Sequence, residues 1–272
     1  MERIGLAEAA GLLGVHYMTA YRYVRTGRLP AVSVNGRWQI DPADLAGVAR
    51  HPAVPTRIRG GSRSRTAGLL ESRLVEGDEE GAYAVCADAL AEWANPADLY
   101  LDLIAPSLRS IGLRWEAGEL GVADEHRASV VATRVLSRFG PRFHHPGRRR
   151  GGVVVGAPAG DHHGIPTMMA GDLLRDAGFA VTDLGADVPP DSFVDAARRT
   201  DRLVAVALGA TLTGNRTAIA VTTVALHEAV PGVVVVAGGA ALPDAGSALA
   251  VGADRWSGPD GRTLVGLVSS LV

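Results

Sequence analysis

From residue 152 onward, short Val-rich runs at 152–158, 180–184, 202–208 and 232–237 alternate with helical segments at 165–177, 191–199, 215–229 and 244–251, and a last strand near 253–256 precedes a helix from about Arg262 to Leu271. Near-continuous apolar strands interleaved with helices mean a parallel sheet covered on both faces, so residues 148–272 are expected to form a Rossmann-like (flavodoxin-like) domain with a five-stranded parallel sheet. Ligands of such sheets bind beyond the carboxyl ends of the strands. The loops there read "APAGDHHGIP", "DLGADVPP", "LGATLTGN", "AGGAALPD" and "RWSGPDG". None holds a G-x-G-x-x-G or a G-x-x-x-x-G-K, so a dinucleotide or a nucleoside triphosphate is not the expected ligand. In Asp161-His162-His163 a carboxylate stands two residues before an imidazole, where it can hold one ring nitrogen and free the other for a metal. Taken alone, a loop His pair is more often solvated than ligating.

Ahead of this domain the pattern is helical from Ala67 to about Phe139, in four segments that predict a small bundle over residues 67–147, with Pro96 in a first turn and Pro106 at a kink. Cys86, the single cysteine, rules out an internal disulfide and reads as a small core residue. Residues 51–66, rich in Pro, Gly, Ser and Arg, read as a mobile linker. Within residues 1–50, apolar positions at Leu6, Ala9, Ala10, Leu12 and Leu13 mark a helix stopped by Gly14, and a second helix runs from about Tyr17 to Thr26 before Gly27. Asn35-Gly36 between two β-type runs signals a hairpin, and Asp41-Pro42 opens a further helix. Two helices and a hairpin make a winged helix-turn-helix. Its end of the chain is basic: residues 1–66 hold ten Arg against four Asp or Glu, while the whole chain is at −2, which suits a polyanionic partner.

"YRYVRTGRLPAVSVNGRWQI" resembles the excisionase-like, MerR-related winged helix-turn-helix domains. The resemblance implies double-stranded DNA as partner, with Tyr17, Thr19 and Arg22 facing base edges and Arg25, Arg28 and Arg37 meeting phosphates. The loops of the α/β domain resemble the cobalamin-binding domain of methionine synthase, corrinoid proteins and cobalamin-dependent regulators, whose markers stand here as Asp161-x-His163, Leu184-Gly185 with Val188-Pro189, Thr211 and Thr213, and Gly238-Gly239. That resemblance implies that His163 is the lower axial ligand of cobalt, tuned by Asp161, and that Gly209, Ala210, Gly238 and Gly239 leave room for the nucleotide tail. His162 remains an alternative ligand. Pro166 stands where the motif has Gly, and Gly209 where it has Ser.

"RWEAGELGVADEHRAS" raises a separate question, since Glu125 and His126 side by side would ordinarily read as a solvated helix start with Asp124 as N-cap. The spacing W-x9-EH resembles the light-sensing, adenosylcobalamin-dependent repressors of the CarH and LitR type, and all three modules match in order. This implies a bundle that caps the upper face of adenosylcobalamin, with Trp115 against the adenosyl group and Glu125 and His126 on its polar edges. It also implies an operator-bound dimer or tetramer in darkness that releases DNA on illumination, and no catalytic activity. Glu116 departs from the family, which has His after the motif Trp. A cobalamin or tetrapyrrole sensor without photochemistry and a corrinoid methyl carrier are the alternatives, and zinc on His144-His145 or His162-His163 is a lesser one. No apolar run reaches the ~18–20 residues of a membrane span, and the start lacks a signal-peptide layout, so a cytoplasmic location is expected.

Overall fold

The computed structural model describes residues 3–15, 17–25, 27–34, 37–48, 62–93, 95–258 and 260–272. The basic end folds as β1 (Ile4–Gly5), α1 (Leu6–Leu13), α2 (Tyr17–Arg25), β2 (Val32–Val34), β3 (Arg37–Ile40) and a 3₁₀ turn over Pro42–Gly47. Leu6, Ala9 and Ala10 of α1 meet Ala20 and Val24 of α2 over Leu29 and Ile40, which closes a small core. Gly14 ends α1 at φ 65, where a residue with a Cβ would be strained, and its N–H returns to the carbonyls of Ala10 and Gly11. β2 and β3 pair antiparallel as expected of the wing, with β1 added on the far edge of β3. Asn35-Gly36 at the tip lies outside the described residues, as do Thr26, residues 49–50 and residues 51–61 of the expected linker. Asp41 caps the last turn by accepting the Ala43 N–H at 2.9 Å, but the element is 3₁₀ rather than α.

The bundle comprises α3 (Ser62–Glu76), α4 (Glu79–Trp93), α5 (Pro96–Asp98), a π-helical stretch at Leu99–Ile104, α6 (Ala105–Ala117) and α7 (Val122–Phe139). α3 starts at Ser62, inside the segment expected as linker, because Ala67, Leu70 and Leu74 bury one face and carry the Arg- and Ser-rich first turn with them. Pro106 does not break its helix. It lacks an N–H and crowds the carbonyl a turn earlier, and the chain widens to π geometry just before it. A second correction concerns α7, whose cap is Gly121. Asp124 lies in the first turn and accepts the Gly121 N–H at 3.0 Å. Cys86 is buried, and desolvation pushes its thiol up to about 12, as befits an inert core residue.

The α/β domain runs β4 (Gly152–Gly156), α8 (Gly164–Asp176), β5 (Ala180–Asp183), α9 (Pro190–Arg199), β6 (Leu203–Gly209), α10 (Arg216–Ala229), β7 (Val235–Gly238), α11 (Ala245–Ala250), β8 (Arg255–Trp256) and α12 (Gly261–Ser269). Every strand pair is parallel and the order is β5-β4-β6-β7-β8. The order reverses between β4 and β6, so the topological switch point lies beyond their carboxyl ends. Met169 and Leu173 of α8 are part of the bundle's core, with Ile165 and Met168 packed against it. A polar clasp holds the same boundary: the Tyr100 hydroxyl donates to Asp172 at 2.9 Å, Arg175 donates to the other oxygen of Asp172, and Arg262 bridges Asp98 and Asp102. Among the described residues no helix is long and apolar enough to cross a membrane.

Candidate functional site

Asp161 sits in the loop after β4, wholly buried at the switch point. One carboxylate oxygen accepts both the backbone N–H of His163, at 3.0 Å, and its ring Nδ1, at 2.7 Å; the other accepts the Thr211 N–H from the loop after β6, at 2.6 Å. Burial opposes ionisation of this group, yet the hydrogen bonds from the His163 ring, the Thr211 backbone and the His163 backbone outweigh it and bring the pKa down to about 2. An ionised carboxylate can only accept, so the proton of the neutral imidazole is placed on Nδ1, and Nε2 carries the lone pair. His163, with 38% of its side chain exposed, is therefore oriented and electronically suited to bind a metal through Nε2. His162 differs. It is exposed, and its nearest carboxylate is Asp187, at 3.8 Å.

The loops after β4 and β5 are zipped together around this pair. Val188 is buried and donates to the Ala157 carbonyl at 3.0 Å, Ala157 donates to Gly185, and the Leu184 N–H reaches Val155. Gly185 turns the chain at φ 73, with its N–H on Asp183 at 2.9 Å. The Pro166 departure is harmless to the backbone, since it falls in the first turn of α8, where an N–H has no helical partner.

At the strand ends the expected small residues play different parts. A Cβ at Gly209 would make an ordinary contact with Thr167 Cγ2, at 3.6 Å. Gly238 admits Ser257, whose Oγ would lie 1.7 Å from such a Cβ, and Gly239, at φ 97, lies against the Ala210 backbone. Of these three glycines, Gly209 is the one where a Cβ would meet no close contact in this conformation. Thr213 begins a 3₁₀ turn next to Asn215, and an open cavity of about 360 Å³ there is lined by Ala159, Pro190, Gly214, Asn215 and Thr217. Asn215 Nδ2 is buried without a hydrogen-bond partner among the described residues. Nothing in the sequence singled out Asn215, nor Asp187, which holds φ 57 and accepts the Gly160 N–H at 2.7 Å.

On the bundle side, Trp115 is half-buried near the end of α6 and packs on the same core as Ile165 and Met168 of α8. Its Nε1 is buried and has no partner among the described residues. A shielded indole N–H without an acceptor is costly and asks for one. Glu125 accepts the Ser129 hydroxyl at 2.9 Å and holds His126 Nδ1 at 2.7 Å, with 61% of the His126 side chain exposed. In the winged helix, Tyr17 and Arg37 are exposed, Arg22 donates to Thr19 at 3.0 Å, and Arg28 lies over the Tyr23 ring. Arg25 is half-buried.

A carboxylate-held imidazole with a free Nε2 and a buried indole donor without an acceptor among the described residues are groups that fit a corrinoid's need for an axial base and for polar contacts. No group of three or more His, Cys, Asp or Glu able to hold a metal ion is found among the described residues, so a metal here would depend on ligands of its own, as a corrin ring provides.

Comparisons with known proteins accord with this geometry. Residues 4–50 match a family described as helix-turn-helix domain, and residues 69–139 and 151–268 match two families described as B12 binding domain. Trimethylamine corrinoid protein 1 of Methanosarcina acetivorans is 28% identical over 140 residues, 50% of this chain and 65% of its own. The HTH-type transcriptional repressor CarH of Myxococcus xanthus is 36% identical over 98 residues, 35% of this chain and 31% of its own. The chain thus spans less than two thirds of the length of these curated relatives. The structure of the monomethylamine corrinoid protein of Methanosarcina barkeri aligns with a TM-score of 0.67 at 19% identity over 78% of this chain and all of that one, which shows the shared fold. The chain joins an N-terminal helix-turn-helix domain to the helical and Rossmann-like parts of a B12-binding region.

Proposed function

We propose that the chain is an adenosylcobalamin-dependent transcriptional repressor that holds operator DNA as an oligomer in darkness and releases it on illumination. The observation that carries the cobalamin half is the buried Asp161, which fixes His163 from the switch point through two hydrogen bonds while anchored to Thr211. The helix-turn-helix match at residues 4–50 and the similarity to a repressor support the DNA half. Bound adenosylcobalamin would supply a light-labile cobalt–carbon bond. This chain's residues do the rest. Asp161 keeps the proton on Nδ1 of His163; Trp115 offers a flat wall and an N–H in need of an acceptor; Glu125, buttressed by Ser129, and His126 stand at the start of α7 to meet polar edges of the upper substituent. Two or more winged helices on one operator multiply contacts that are individually weak.

Glu116 favours a second reading, a cobalamin sensor without photochemistry, since its carboxylate is paired with Arg28 at 3.4 Å and is no substitute for an imidazole toward cobalt. Purification with adenosylcobalamin in darkness and after green illumination, following absorbance, molar mass and retention of DNA together, separates the two. Repression by light release predicts a large DNA-retaining species in the dark and a smaller one afterwards, and loss of the dark assembly in Trp115→Ala. Identical mass and retention under both conditions would leave the sensor reading. Methyl transfer from the reconstituted chain to a thiol would replace both with a carrier.

A further inference from the structure

The winged helix does not stand apart from the crevice. Arg28 pairs with Glu116 at 3.4 Å, with 25% and 35% of the two side chains exposed. The Arg22 guanidinium lies on Gly118, so near that a Cβ there would stand 2.9 Å from Nη1 and 3.0 Å from Nη2, and Arg22 Nε is shut off from solvent. Gly118 is the left-handed C-cap of α6, its N–H turned back to Arg114 and Trp115. The last carbonyls of a helix carry partial negative charge, so the Arg22 guanidinium at this helix end is favoured by them, while Arg28 is favoured by Glu116. A Cβ at Gly27 would lie 3.4 Å from the Thr213 hydroxyl and 3.6 Å from the Gly214 nitrogen, both in the α/β domain. The turn after α2 therefore touches the loop after β6 while α2 touches the end of α6. The contacts straddle the two walls that carry Trp115 and Thr213.

We propose that the DNA-reading face of the winged helix and the rim of the crevice are alternative partners for the same arginines, so that the docked chain is closed to DNA and must release its reader to bind it. This rests on the reading of residues 4–50 as a DNA reader. Arg22 and Arg28 cannot neutralise phosphates or reach base edges while they are engaged by Gly118 and Glu116, so a duplex and the end of α6 compete for the same two side chains. Apparent DNA affinity is then reduced by the fraction of molecules undocked. The device also gives Glu116 a purpose of its own, as the acidic half of the latch.

The test uses the full chain, Glu116→Arg and Glu116→Gln, with two readouts: amide hydrogen exchange of residues 17–25, and fluorescence anisotropy with a random-sequence DNA duplex at low salt. Release predicts faster exchange in α2 for both variants and DNA binding tighter by about three- to tenfold, largest for Glu116→Arg, since the latch is a partly exposed ion pair plus a helix-end contact. Measurable DNA binding by the wild type that neither variant tightens, or exchange in α2 that neither accelerates, overturns the latch and leaves the DNA reader standing. Absence of DNA binding in all three, with exchange accelerated, overturns the DNA reader itself and the latch with it.

Discussion

Asp161 is the residue on which the site turns, because it ties two loops of the switch point to one imidazole. Asp161→Ala removes the acceptor of the Thr211 and His163 N–H groups in a buried place, and is expected to cost ~1–3 kcal/mol in urea unfolding without cobalamin and to weaken corrinoid binding by about 10- to 100-fold. Unchanged stability and affinity would mean that the carboxylate is a bystander. The part of the site legible in the sequence was the part written in neighbouring residues: Asp161, two positions before the His163 it holds. Asn215 and Asp187 were illegible, since their roles arise only when loops far apart in the chain meet beyond the sheet. Gly238 was read as room for a ligand, but the space is used by Ser257, nineteen positions on, a neighbour that no local pattern could reveal.

Among the elements, β4, β6 and β7 were the most legible because strands buried on both faces allow few residue types, whereas β1 is two residues long and shows no alternation. The start of α3 was hidden under Arg and Ser, which are typical of linkers, and its helical state is set by Leu70 and Leu74 downstream. The π-helical stretch before Pro106 replaced an expected kink because backbone widening accommodates the missing N–H while keeping Tyr100 and Leu103 in the core. The Asp41 cap was legible because Asp followed by Pro42 is its own signal, whereas Asp124 proved to lie in the first turn and Asp260 was not singled out. Asp260 accepts the Thr263 N–H at 2.9 Å and its hydroxyl at 3.0 Å at the start of α12. Asp260→Ala is expected to destabilise the α/β domain by ~0.5–2 kcal/mol in a denaturant midpoint; no shift would show that α12 is held by Leu264 and Val268 alone.

At the scale of the molecule, the bundle and the sheet are joined by a shared apolar boundary and by the Tyr100–Asp172–Arg175 clasp. Burial raises the pKa of Asp172 despite the bonds from Tyr100 and Arg175, and burial together with Asp172 raises that of Tyr100. Tyr100→Phe leaves that carboxylate one donor short and is expected to lower the unfolding free energy by ~1–3 kcal/mol, with a loss below ~0.5 kcal/mol speaking against the clasp. Fold order, from winged helix to bundle to parallel sheet, was legible because each module has its own hydrophobic period. How the winged helix lies on the other two was not, since the contacts of Arg22, Gly27 and Arg28 pair surfaces that each look solvated by themselves. The whole account depends on His163 as the axial base of a corrinoid held at the switch point. The most direct measurement is the electron paramagnetic resonance spectrum of the chain loaded with cob(II)alamin, prepared once with ordinary and once with ¹⁵N-labelled histidine. Ligation by His163 predicts that the nitrogen splitting changes from triplets to doublets on labelling, and that this response is lost in His163→Ala; triplets that persist in the labelled protein would show that the cofactor keeps its own base and would contradict the assignment.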